Sequence, residues 1–201
     1  KSTLSPLPRI KEMLSGCTSS MLKSVYDNIG AELISVNTYD VDLDLTGDDK
    51  LFRSRTTIDF DATPGASTFV DMVAKDLVSA ELNGVPLDVT SYADFRLPIT
   101  DLKAHNKLVV DGYFEYMHTG EGLHRSVDPA DGKVYIYSQF EVPDARRVYP
   151  TFEQPDLKAT FTFTVKVPKE WTVFSVSPTP VPQVDGDWAT FRFAPTERIS
   201  T

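Results

Sequence analysis

From Ser35 onward the chain alternates apolar and polar residues. Tyr39, Val41, Leu43 and Leu45 fall on one side of an extended backbone, with Asp40, Asp42 and Asp44 on the other. That period of two predicts a half-buried strand with a carboxylate-rich outer face. Gly47-Asp48-Asp49-Lys50 reads as a turn, and residues 52–62 as the return strand. Further strands are predicted at 67–73, 77–82, 95–99, 108–116, 133–140, 157–167, 171–177 and 188–193. In the 157–167 run, Ala159, Phe161, Phe163, Val165 and Val167 share one face. Asn83-Gly84, between Leu82 and Val85, is a strong hairpin signal because both residues tolerate positive φ. About ten short strands punctuated by turn signals predict an all-β sandwich or open-sheet assembly. Residues 35–195 contain no internal repeat, low-complexity tract or linker, so they read as one domain.

The beginning of the chain has a different character. Residues 1–18 are polar, proline-containing and patternless, and read as a leader or arm. Ser19 and Ser20 are placed to cap a short helix in which Met21, Leu22, Val25, Tyr26 and Ile29 share a face, and Gly30 would end it. The boundary therefore falls near residue 30, with the β domain occupying 31–201.

Charge narrows the function. The 201 residues carry a net charge of −9. Phosphate binding needs clustered Lys and Arg, so nucleic acid is a poor partner. Anionic lipid is disfavoured for the same reason, and no apolar run is long enough to span a bilayer. The single cysteine, Cys17, allows no intramolecular disulfide and fits a reducing compartment. These features together predict a soluble, cytoplasmic protein.

Chemistry is sparse. None of His105, His118 and His124 sits at a metal-ligand spacing such as HExxH. His105 is predicted to lie solvated in a turn, and His118 and His124 to flank a loop at 119–122. Asp40, Asp42 and Asp44 lack the turn glycine and later glutamate that a calcium loop requires. Trp171 and Trp188 sit within strand patterns and are predicted to be core residues rather than a sugar platform. No GxSxG, GxGxxG or P-loop occurs. One pair stands apart. Gln139 and Glu141 lie two residues apart at the end of a predicted strand, which in regular extended geometry puts them about 7 Å apart on one side. A carboxylate beside an amide oxygen suits a primary ammonium group, the first supplying charge and the second an acceptor.

Residues 139–161, QFEVPDARRVYPTFEQPDLKATF, carry a resemblance of their own. Gln139, Ala145-Arg146, Tyr149-Pro150, Phe152-Glu153, Pro155, Lys158-Ala159 and Phe161 occur in the order and spacing of a motif in the first domain of the M1 family of zinc aminopeptidases. Residues 39–45, 57–60 and 82–84 resemble the same domain, and 119–150 resembles actinobacterial members in particular. The resemblance covers roughly 33–201.

The resemblance implies a saddle-like, antiparallel β-sandwich or open-sheet domain that abuts a catalytic domain of the same polypeptide. It implies that Gln139 lines the substrate pocket and holds the free amino group of a peptide, and that Glu141 occupies an acidic position near that pocket. Arg146, Arg147, Tyr149, Phe152, Glu153, Pro155 and Lys158 match the motif's framework. The cofactor implied is zinc, held in the parent enzyme by HExxH and a later Glu of the catalytic domain, where it lowers the pKa of a bound water. A GxMEN loop there would also grip the amino terminus. None of these motifs occurs in the 201 residues, so this chain alone is expected to be inactive. The competing expectation is a stand-alone, non-catalytic β-sandwich that binds peptides or proteins.

Overall fold

The computed structural model describes residues 33–201. The helix expected around 21–29, and Cys17, lie outside the described residues. Twelve strands run in chain order: β1 (Ile34–Asp44), β2 (Leu51–Ala62), β3 (Thr68–Asp71), β4 (Ala74–Leu82), β5 (Val85–Pro86), β6 (Arg96–Ile99), β7 (His105–Glu115), β8 (Gly122–Val127), β9 (Val134–Gln139), β10 (Thr160–Pro168), β11 (Gln183–Asp185) and β12 (Trp188–Arg192). Eight of them form one sheet in the order β11-β12-β10-β1-β2-β7-β4-β5. β3 pairs with β6, and β8 with β9, in two small sheets.

The alternation read from β1 is the alternation observed: Tyr39, Val41 and Leu43 are buried, while Asp40 and Asp42 are exposed. Asn83 and Gly84 both take positive φ, 54° and 82°, and make the tight turn between β4 and β5. β10 likewise buries Phe161, Val165 and Val167. The all-β expectation therefore holds. One junction is not antiparallel: β1 and β10 run parallel over Thr38–Thr160 to Asp44–Lys166. Distant parts of the chain meet there, at the centre of the sheet.

Four expectations are corrected. No strand forms at 171–177; instead β11 forms at 183–185 and pairs with β12. Trp188 is 38% exposed and so is not core; with Trp171, Tyr116 and Leu45 it lines an open cleft of about 300 Å³, while Trp171 is partly buried and packs against the core. The segment 122–127, where no strand is predicted, is strand β8. His105 opens β7 rather than lying in a turn; it stays exposed, with its ring nitrogens 2.9 Å from Asp61 and 3.2 Å from Asp59. The two carboxylates raise its pKa, the hydrogen bond to Asp61 most.

A single core unites the large sheet, the β3–β6 pair and the segment 148–159. The buried face of β2 runs Phe52, Ser54, Thr56, Ile58 and Phe60. Ser54 and Thr56 are polar, yet period two carries them inward with their neighbours.

Candidate functional site

The motif after β9 is built around Tyr39, a fully buried residue of β1. Its ring stacks on Phe161 of β10 at 4.7 Å and 5°. Its hydroxyl accepts from the Phe152 backbone N–H at 3.0 Å, with the Thr151 hydroxyl at 3.4 Å. Burial pushes its pKa well up, so it stays a neutral phenol. Tyr149 lies 6.4 Å from Tyr39 and 6.1 Å from Phe161, centroid to centroid. The aromatic positions of the motif thus form one cluster that ties the segment to the centre of the sheet.

The polar positions hold the segment's backbone. Thr151 and Asp71 exchange backbone hydrogen bonds at 2.8 and 2.9 Å, and the Asp71 carboxylate meets Arg96 at 3.2 Å. Ala145–Arg147 forms a single 3-10 turn. The Glu153 carboxylate accepts from the Arg146 backbone N–H at 2.8 Å, and the Arg146 carbonyl accepts from Val73 N–H at 2.7 Å. Burial raises the Glu153 pKa to about 7, against the smaller opposing effect of Arg146. Desolvation disfavours the charged form and outweighs the neighbouring donor.

Gln139 closes β9 and is exposed. Its register partner across the small sheet is Gly122. The Glu141 backbone N–H donates to the Gln139 side-chain oxygen, which orients the amide. The expectation that Glu141 shares one side of an extended strand with Gln139 is not met. β9 ends at Gln139, and residues 141–144 turn. Both residues are exposed at the same end of the hairpin, so the structure brings them near in chain but not into a regular strand pair.

Beside Gln139, His124 pairs in register with Tyr137 and stacks on it at 4.7 Å. Nδ1 of His124 accepts from Gly120 N–H at 3.1 Å, and Nδ1 of His118 lies 2.8 Å from the Arg125 carbonyl. Glu121, which the sequence reading passed over, is held below its usual pKa mainly by the Thr119 hydroxyl, with smaller contributions from Arg147 and His124. Only its neighbourhood to the Gln139 motif could have signalled it.

The described residues contain no group of three or more His, Cys, Asp or Glu side chains that could hold a metal ion, so zinc does not fit these residues. Among the described residues, no helix is long and apolar enough to cross a membrane.

Residues 35–201 match the family model of the peptidase M1 N-terminal domain. Aminopeptidase N of Streptomyces lividans is 51% identical over 176 residues, covering 85% of this chain and 20% of that protein. Aminopeptidase N of Acetobacter pasteurianus is 29% identical over 177 residues, covering 82% of this chain and 49% of that protein. Aminopeptidase M1-A of rice, Oryza sativa subsp. japonica, is 30% identical over 167 residues, covering 81% of this chain and 18% of that protein. The chain thus spans between about a fifth and a half of the length of these relatives. The match across 35–201 shows that the chain belongs to the peptidase M1 N-terminal domain family.

Proposed function

We propose that this chain is the substrate-pocket domain of a zinc metallo-aminopeptidase that removes single residues from peptide amino termini. Gln139 and Glu141 would face the substrate's free amine, and a catalytic domain of the same polypeptide would hold the zinc. The observation that carries the reading is the oriented, exposed amide of Gln139 at the end of β9, directly preceding the buried motif. An amide oxygen has two acceptor positions. Glu141 N–H uses one, which leaves the other for an ammonium group, and the exposed Glu141 carboxylate supplies negative charge beside it. Placement in the cytoplasm accords with the single cysteine and acidic surface.

The test is steady-state kinetics on the longer polypeptide that carries this domain. Gln139→Ala should lower kcat/KM roughly tenfold or more, the size of one hydrogen bond to a charged group, with bound zinc unchanged. Unchanged kinetics would remove Gln139 from the pocket. Loss of zinc would assign it to folding instead.

A further inference from the structure

We infer that Arg147 is a positioning residue for Gln139, acting through Gly122. This rests on the amine-pocket reading of Gln139. Gly122 is the residue directly opposite Gln139 in the β8–β9 pair. It takes φ of +61°, and a Cβ built there would lie 2.9 Å from Arg147 Cβ, 3.2 Å from Arg147 Cδ and 3.3 Å from Met117 Cγ. The space that a side chain opposite Gln139 would fill is therefore filled by the aliphatic stem of Arg147. L side chains rarely adopt that φ, so Gly122 admits the stem and the backbone bend together.

The stem is launched from a rigid support. Arg147 ends the 3-10 turn whose first residue, Ala145, is fully buried. That turn is pinned by Glu153 at the Arg146 N–H and by Val73 at the Arg146 carbonyl. Arg147 Nε donates to the Asp144 carboxylate at 2.7 Å, which holds the side chain along the hairpin and balances its charge. The hairpin has little core of its own. β9 buries no residue, and β8 buries only Gly122 and Leu123. Its other ties include backbone bonds to Met117, from Met117 N–H to the Leu123 carbonyl and from Arg125 N–H to the Met117 carbonyl, both 2.9 Å, His118 Nδ1 at 2.8 Å from the Arg125 carbonyl, and the packing of Leu123 and Ile136 at the edge of the main core. Arg147 thus presses the end of the hairpin that carries Gln139 against the motif, at the position where the amide must be held.

The experiment uses the longer polypeptide, with Arg147→Ala, Arg147→Met, Gln139→Ala and the Arg147→Ala/Gln139→Ala double variant. Each is read by hydrogen exchange over 122–127 and 134–139, by KM and kcat on a free-amine peptide, and by zinc content. Arg147→Ala should speed exchange in both hairpin strands roughly tenfold while strands of the large sheet keep their protection. It should raise KM several-fold with kcat and zinc held. Arg147→Met, which keeps the stem, should restore most of both. In the Gln139→Ala background, Arg147→Ala should change KM no further, because coupled residues are not additive. Unchanged hairpin exchange, or a KM effect equal in both backgrounds, overturns the positioning role. If Gln139→Ala leaves kcat/KM unchanged while Arg147→Ala loosens the hairpin, the clamp stands as structure, and both the amine-pocket reading and the role in positioning for binding fall.

Discussion

The large sheet and the β8–β9 hairpin share one chain and one motif, but they are held by different means. In the central strands of the large sheet, buried side chains recur mostly at every second position, as from Tyr39 to Leu43 in β1 and from Phe52 to Phe60 in β2. In the hairpin, Tyr135 and Tyr137 are half exposed, and apart from Leu123 and Ile136 at the edge of the core the strands rest on a glycine, an arginine stem and a few hydrogen bonds. Burying apolar area stabilises the first in bulk. The second depends on a small number of specific contacts, which is where function is commonly placed and where stability is low. The segment 139–161 joins the two: its front end carries Gln139, and its back end is in the core.

That contrast can be tested most severely at Phe161. Phe161→Ala removes the ring stacked on Tyr39 and should cost about 3–5 kcal/mol, read as a lower midpoint in urea denaturation. A loss confined to the hairpin would contradict the division of roles.

The buried carboxylates give the next largest effect. Glu153 has its pKa raised from 4.5 to about 7 by burial. The folded state therefore holds a proton that the unfolded state releases above pH 4.5. Its contribution is fully present below pH 4.5 and is lost as pH rises towards 7, by on the order of 3 kcal/mol. Asp71, also raised by burial, acts in the same direction. Urea midpoints at pH 5 and 7.5 should differ in the native protein and much less in Glu153→Gln. An equal difference in both would remove Glu153 as the cause.

At the hairpin, Gly122→Ala meets both the positive φ and the Arg147 stem. It should cost about 1–3 kcal/mol, expressed as faster hydrogen exchange over 122–139 with the large sheet protected. Global unfolding in step with the hairpin would merge the two regions into one cooperative unit. Smaller again is Tyr137→Ala, which removes the exposed stack on His124. It should weaken hairpin protection by about 0.5–1 kcal/mol and leave the urea midpoint within error.

How far these regions could be read beforehand follows from the same contrast. β1, β2, β7 and β10 were legible because one buried face leaves a period-two record in the residues. β8 was not: Gly122-Leu123-His124-Arg125-Ser126-Val127 carries no such record, since only its first two residues are buried. Trp188 misled because burial is a property of the finished surface, and it opens β12, next to the short edge strand β11. Gln139 and Glu141 were found through the motif, but their geometry was not, because the strand ends between them.

Alternation, the Asn83-Gly84 turn and the 139–161 motif are local. By themselves they determined an all-β domain of the peptidase M1 N-terminal type and singled out Gln139 as a candidate. The tertiary structure decided the rest: the parallel join of β1 to β10, the burial of Ser54 and Thr56, the burial that raises the Glu153 pKa, and the seating of Arg147 on Gly122. Each of these depends on which distant residues meet, and a one-dimensional pattern records only whether a position is buried, not against what.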